Sequence, residues 1–215
     1  MSKAVTPALA EKLREKLQKG ISTLALTLPA GTEEKLLAYV AMLVKWNGAY
    51  NLTAVRDPEQ MVVKHLLDSL SILPHVQGKT LIDVGTGGGL PGFVLAVAKP
   101  ELQVTLLDSN GKKIRFLRQA IAELDVPNAV AVQSRVEDFA EGFDVVTSRA
   151  FATLADMVEG SEQLLKPGGE FLAMKGMRPD EEIAALPAHI AVAEILPLTV
   201  PFLNEERHLV RLKKN

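Results

Sequence analysis

The chain has 215 residues, 47% hydrophobic and 23% charged, a formal net charge of −2 and no cysteine. That length fits one medium domain, or one domain with a small appendage, and the missing cysteine excludes disulfides, Cys-ligated metal centres and any chemistry needing a covalent thiolate, such as pyrimidine C5 methylation. The near-neutral charge offers no global basic field, so any nucleic-acid contact must come from a local patch; no apolar run approaches the ~20 residues of a membrane span and the N-terminus lacks an apolar signal core, so a cytoplasmic protein without a membrane segment is expected.

Residues 7 to 19 predict a short amphipathic helix stopped by Gly20. In the next helix Thr32 is the expected cap, Glu33 and Glu34 suit the positive N-terminal end, and Leu36, Leu37, Val40, Leu43, Val44 and Asn47 trace one face. Trp46 and Tyr50, four apart on it, are expected in a core between this helix and the rest of the chain. Asp57-Pro58 opens a third helix with a cap and a proline at its first position, continued by Met61, His65, Leu66, Ser69 and Leu70 to about Ile72. Residues 1–78 are therefore expected to form an N-terminal helical cap.

From Lys79 strand and helix alternate: strands at 80–84, 103–107, 129–133, 143–147 and 169–174, helices at 90–98, 111–124 and 153–165. This alternation predicts an α/β fold with a mostly parallel sheet and helices on both faces, one compact unit over residues 79–215. After a helix near 180–186, Val192 to Thr199 and Arg207 to Lys213 predict a closing C-terminal antiparallel hairpin turning at Asn204-Glu205-Glu206.

Residues 81 to 92 read LIDVGTGGGLPG, a strand running into a turn where Gly85, Gly87, Gly88 and Gly89 let the backbone approach a ligand. About twenty residues on, Asp108 closes the next apolar run, where a carboxylate can accept both hydroxyls of a ribose. Gly87, Gly89 and Gly92 also fit G-x-G-x-x-G, which keeps an NAD-dependent oxidoreductase open. The tightest spacing begins earlier, as Asp83-x-Gly85-x-Gly87-x-Gly89. An acid there repels a pyrophosphate but suits S-adenosylmethionine, which has no phosphate and carries an ammonium. The alternative for Asp83 is a purely structural turn or helix cap. The D-x-G-x-G-x-G form resembles motif I of the class I methyltransferases, whose fold is Rossmann-like.

Further signatures sharpen the resemblance: Trp46-Asn47 with Tyr50-Asn51-Leu52-Thr53, Arg56-Asp57-Pro58, His65-Leu66-Leu67-Asp68-Ser69, LLDSNGKKIRFLR at 106–118, Ser134-Arg135-Val136-Glu137, SRAF at 148–151, Lys175-Gly176 and Glu206-Arg207-His208-Leu209-Val210. With DVGTGGGLPG at 83–92 they make residues 32–213 resemble the bacterial 16S rRNA guanine methyltransferase G family, also called glucose-inhibited division protein B. The resemblance implies methylation of ring nitrogen 7 of one guanine in small-subunit rRNA, with S-adenosylmethionine as donor. It implies that Gly85 and Leu90 line the cofactor pocket, that Val136 and Glu137 flank the adenine, and that Arg149 faces the methionine end. From spacing alone, Glu137 and Asp138 equally open a short helical turn.

Guanine nitrogen 7 carries a free lone pair at neutral pH, so attack on a sulfonium methyl needs no general base, and none is evident. Arg149 is the one residue expected to act at the reaction centre, as a positioning group bonded to the cofactor carboxylate or to the Hoogsteen edge of guanine. The exocyclic-amine methylases carry Asn/Asp-Pro-Pro-aromatic where this chain has Ser148-Arg149-Ala150-Phe151, which disfavours an amino-group substrate. Phe151 is read as a base-stacking or core aromatic. Lys112, Lys113, Arg115 and Arg118 share a helix and form either a solvated face or, with Arg56, Lys64, Arg135 and Arg207, a phosphate-contacting patch. His65 has no second histidine at metal spacing, and no metal is expected. The expected partner is 16S rRNA or the small subunit, bound by a monomer; a cofactor-binding assembly factor without turnover is the non-enzymatic alternative.

Overall fold

The computed structural model describes residues 6–149 and 151–215. Seven strands, β1 (Thr80–Val84), β2 (Gln103–Asp108), β3 (Ala129–Gln133), β4 (Phe143–Ser148), β5 (Leu165–Lys175), β6 (Ile190–Pro197) and β7 (His208–Lys214), form one sheet in the order β3-β2-β1-β4-β5-β7-β6. β1 to β5 are parallel, while β7 runs antiparallel to β5 and β6 antiparallel to β7. A parallel strand covered on both faces needs an unbroken apolar run, and Val104 to Asp108 of β2 are all buried. The chain leaves β1 for β2 on one side and has β4 on the other, so a crevice opens at the carboxyl ends of these strands. The expected hairpin is present, held by Arg211, whose guanidinium lies 2.9 Å from both the buried Glu170 of β5 and Glu194 of β6.

α1 (Pro7–Thr23), α2 (Thr32–Tyr50), α5 (Gly92–Ala98) and α6 (Gly111–Glu123) cover one sheet face through a shared cluster that includes Leu17, Leu36, Tyr39, Leu43, Phe93 and Phe116. Trp46 packs edge-on against Tyr50 and Phe116, joining α2 to α6 as its position suggested. α7 (Leu154–Ser161) covers the opposite face, where Leu154 and Val158 join Ile82, Val146 and Phe171. α8 (Asp180–Ala184) follows β5.

Several local expectations are corrected. Gly20 does not end the first helix, which continues to Thr23; it is buried within it because the Leu67 side chain occupies the space where its Cβ would project. Thr32 does not cap α2: Gly31, at φ +82°, holds that position, and Thr32 is buried as the first helical residue. The third helix is composite, with α3 (Pro58–Met61), a π-helical turn at Val62–Leu67 and α4 (Asp68–Leu70); Asp57 Oδ1 caps it through the Glu59 amide. The helix expected to 165 gives way to a 3-10 turn at Glu162–Leu164, and β5 starts early because Leu165 already pairs with Phe143.

Helix α2 reaches the glycine turn directly. Tyr39, fully buried on α2 and stacked on Phe93 at 4.7 Å, donates a short hydrogen bond to the Gly88 carbonyl. Burial raises its phenol further above the ordinary value, so it remains a donor. Tyr39→Phe strands that carbonyl without a partner, and an unfolding free energy lower by about 1–3 kcal/mol is expected in urea titrations, with the slope unchanged.

Candidate active site

The turn after β1 is shaped by positive φ at Gly85, Gly87 and Gly89. At Gly89, φ +102°, a Cβ would stand 2.7 Å from Leu117 Cδ2 and 2.8 Å from Phe93 Cβ, so only glycine fits. Asp83 is buried beneath the turn: its Oδ2 accepts from Thr86 Oγ1 at 2.7 Å and from the Gly92 amide at 2.8 Å, while Oδ1 has no hydrogen-bond partner among the described residues. Burial pushes this carboxyl up to about 6, against the two hydrogen bonds and the Arg149 charge. Gly92 permits the approach, since a Cβ there would lie 2.7 Å from Asp83 Cβ.

Beside the turn lies an open cleft of about 300 Å³, lined by Val84, Gly85, Leu107, Asp108, Ser109, Ser134, Arg135, Val136, Glu137 and Phe151. Asp108 closes β2 with both carboxylate oxygens engaged by backbone, Oδ2 accepting from Gly87 N at 2.9 Å and Oδ1 from Asn110 N at 2.8 Å. Each oxygen keeps a further lone pair for a ligand hydroxyl. Val136 and Glu137 begin a 3-10 turn after β3 and form the far wall. An acid gripped at a strand end, an apolar wall and a glycine bend without Cβ atoms fit an adenosyl group.

A second cavity, about 270 Å³, is lined by Val55, Lys64, His65, Asp68, Arg149, Met174, Lys175, Gly176 and Arg207. At its base is a buried acid, Asp68, bridging two arginines: Oδ2 accepts from Arg149 Nη1 at 2.9 Å and Oδ1 from Arg207 Nε at 3.2 Å. Burial raises the Asp68 carboxyl, opposed by both guanidiniums. His65 is also buried, its Nε2 2.8 Å from Thr53 Oγ1; burial, then the Arg149 charge, lowers its imidazole to about 4, so it is neutral at pH 7.

Of the residues singled out in the sequence, Gly85, Asp108, Val136 and Glu137 meet at the first cleft, joined by Arg135 and Phe151. Asp83, Gly87, Gly89 and Leu90 shape the bend from behind it and are not in its lining. Arg149 lines the second cavity instead of the first, with Lys64 and Arg207. Ala150 of the SRAF signature lies outside the described residues. The α6 cations have separate partners: Lys113 Nζ turns to Asp108 at 3.7 Å, Arg115 reaches the Tyr50 hydroxyl at 3.4 Å, and Arg118 Nε donates to Ala131 O, whereas Lys112 is exposed with no side-chain partner among the described residues. Arg56 is held by Asn47 O and Asn51 Oδ1, apart from both cavities. Asp68 and Lys175 had been given no role; an acid inside the apolar run VVKHLLDSL was the available signal.

A family model described as rRNA small subunit methyltransferase G matches residues 32–210. The chain belongs to the rRNA small subunit methyltransferase G family. Within this family, the ribosomal RNA small subunit methyltransferase G of Chromobacterium violaceum is 53% identical over 91% of this chain and 95% of its own length, and that of Serratia proteamaculans is 53% identical over 94% and 100%. The fold is shared more widely: the glycopeptide N-methyltransferase MtfA superimposes with a TM-score of 0.58 at 16% identity over 74% of this chain and 100% of that one. TrmN from Thermus thermophilus gives 0.54 at 19% identity over 68% and 47%.

Asp83 makes the stability of this family member pH-dependent. Its folded-state value lies above the ordinary 3.8, so the protonated carboxyl stabilises the fold below about pH 4, and that contribution is lost as pH rises through 6. In parallel urea titrations, wild type should lose about 3 kcal/mol relative to Asp83→Asn between pH 4 and pH 7. A difference independent of pH would mean that the buried carboxyl does not titrate in that window.

Proposed function

We propose that this chain transfers a methyl group from S-adenosylmethionine to ring nitrogen 7 of a guanine in 16S rRNA of the small ribosomal subunit. The observation that carries this reading is the acid-tipped cleft at the ends of β1–β3, together with a cation-lined second cavity, in a chain of this family. Residues 1–78 act as a cap on a catalytic unit formed by residues 79–215, and the enzyme works as a cytoplasmic monomer without a metal.

When bound, S-adenosylmethionine supplies an electrophilic methyl group. Asp108 binds the ribose hydroxyls, Val136 and Glu137 take the adenine, and Gly85 lets the ligand lie against the backbone. Phe151 adds an aromatic side chain to the lining of the cleft. On the acceptor side no proton has to leave nitrogen 7, and the cavity fits that demand: its one imidazole, His65, is a poor base. The protein's contribution is alignment, on the order of 7 kcal/mol or more for well-oriented partners.

The lone pair that attacks must stay free, which rules out an arginine fork across both O6 and N7. Arg149 spends Nη1 on Asp68 and the Lys64 carbonyl; its Nε and Nη2 have no partner among the described residues and remain for O6 alone, the cofactor carboxylate or a phosphate. The dinucleotide alternative loses ground at Asp83, an acid whose Oδ2 takes the Gly92 amide at the start of α5, the helix end that a pyrophosphate would approach.

Incubation with tritiated S-adenosylmethionine and small subunits lacking the modification should yield label in one guanine, as 7-methylguanosine, in nuclease digests; label confined to protein would refute the reading. Asp108→Ala should weaken S-adenosylhomocysteine binding by about 1–3 kcal/mol in calorimetric titration, the cost of losing charge-assisted hydrogen bonds. Unchanged affinity would remove Asp108 from the cofactor site.

A further inference from the structure

The second cavity is more than an extension of the donor cleft. Four cations, Lys64, Arg149, Lys175 and Arg207, converge on it from the π-helical turn and the ends of β4, β5 and the β6–β7 connection. Lys175 is matched by Glu182 at 2.7 Å, and Asp68 holds Arg149 and Arg207 from behind. On the outer side one carboxylate forks between the remaining charges: Glu205 Oε1 accepts from Lys64 Nζ at 2.7 Å and Glu205 Oε2 from Arg207 Nη2 at 3.0 Å. The two cations hold this carboxyl below the usual range.

Glu205 differs from the acid behind it. Asp68 is buried, with 5% of its side chain exposed, whereas Glu205 is 49% exposed on the connection between β6 and β7. Its two ion pairs are surface pairs, weak because solvent screens them, and are readily exchanged for another anion. Lys64 and Arg207 present donors to two oxygens on one central atom, which is also how a phosphodiester presents its two non-bridging oxygens.

We propose that Lys64 and Arg207, steadied by Asp68, form the seat for a backbone phosphodiester of the substrate RNA, and that Glu205 occupies this seat in the free protein and is displaced when RNA binds. The inference rests on the RNA-methyltransferase reading and adds to it a defined anion site with an internal competitor. Asp68 holds Arg207 Nε and the Glu206 carbonyl holds Nη1, which leaves Nη2 directed at the seat.

The test compares Glu205→Gln with Glu206→Gln, which removes the same charge one residue away from an exposed side chain with no ion pair among the described residues. Kd for small subunits lacking the modification is measured by filter binding at fixed salt, with methyl transfer followed in parallel. Glu205→Gln should tighten binding about three- to tenfold, the range open to two surface ion pairs, and Glu206→Gln less than twofold. Equal tightening in both variants would reduce the effect to general charge repulsion, and unchanged or weaker binding in Glu205→Gln would remove the competitor; either result overturns the proposal. Because Kd is read without turnover, a protein that binds the subunit yet forms no 7-methylguanosine refutes the methyl-transfer reading while the comparison of variants still decides the seat.

Discussion

The turn leaving β1 is gripped from three directions. From below, the buried Asp83 carboxylate accepts from Thr86 Oγ1 and the Gly92 amide; from β2, Asp108 Oδ2 accepts from the Gly87 amide and the Leu107 carbonyl from that of Thr86; from α2, the Tyr39 hydroxyl donates to the Gly88 carbonyl. A glycine-rich bend has the greatest conformational freedom of any segment in the chain, and these contacts remove it before a ligand arrives. Two acids divide the work: Asp83 gives up exposure to set the backbone, and Asp108 keeps spare lone pairs at the cleft.

The N-terminal helical segment reaches the two cavities in two places. Through Tyr39 it touches the cofactor bend, and through Lys64, His65 and Asp68 it supplies one wall of the second cavity. The hairpin supplies the opposite wall through Arg207. The Asp68–Arg149–Arg207 network therefore ties three parts of the chain that are distant in sequence. Breaking a buried pair of this kind is costly because it leaves a buried charge uncompensated. The two cavities differ in lining: the first has Asp108 at a strand end with Arg135, Glu137 and apolar side chains, the second has cations around an acid.

Much of the sheet was legible because a parallel strand covered on both faces has to read as an apolar run, and Val104 to Leu107 do. The cofactor bend was legible because positive φ and close approach leave a glycine spacing, and Asp108 because it ends an apolar strand. What escaped depended on partners far along the chain. Gly20 looked like a helix stop, yet the side chain that makes it glycine, Leu67, comes from another helical stretch. Asp68 stood out only as an acid in an apolar run; its partners Arg149 and Arg207 are 81 and 139 residues away. The basic residues of α6 looked like one face, but three of the four are turned to Asp108, Tyr50 and Ala131.

The account stands on the claim that the cleft at the ends of β1, β2 and β3 is the adenosyl site. A crystal structure of the complex with S-adenosylhomocysteine tests it most directly. The ribose hydroxyls should lie within hydrogen-bond distance of the Asp108 carboxylate, with the adenine against Val136 and Glu137. Density for the ligand in any other cavity, or an Asp108 carboxylate facing only its two backbone amides in a ligand-bound crystal, would contradict it.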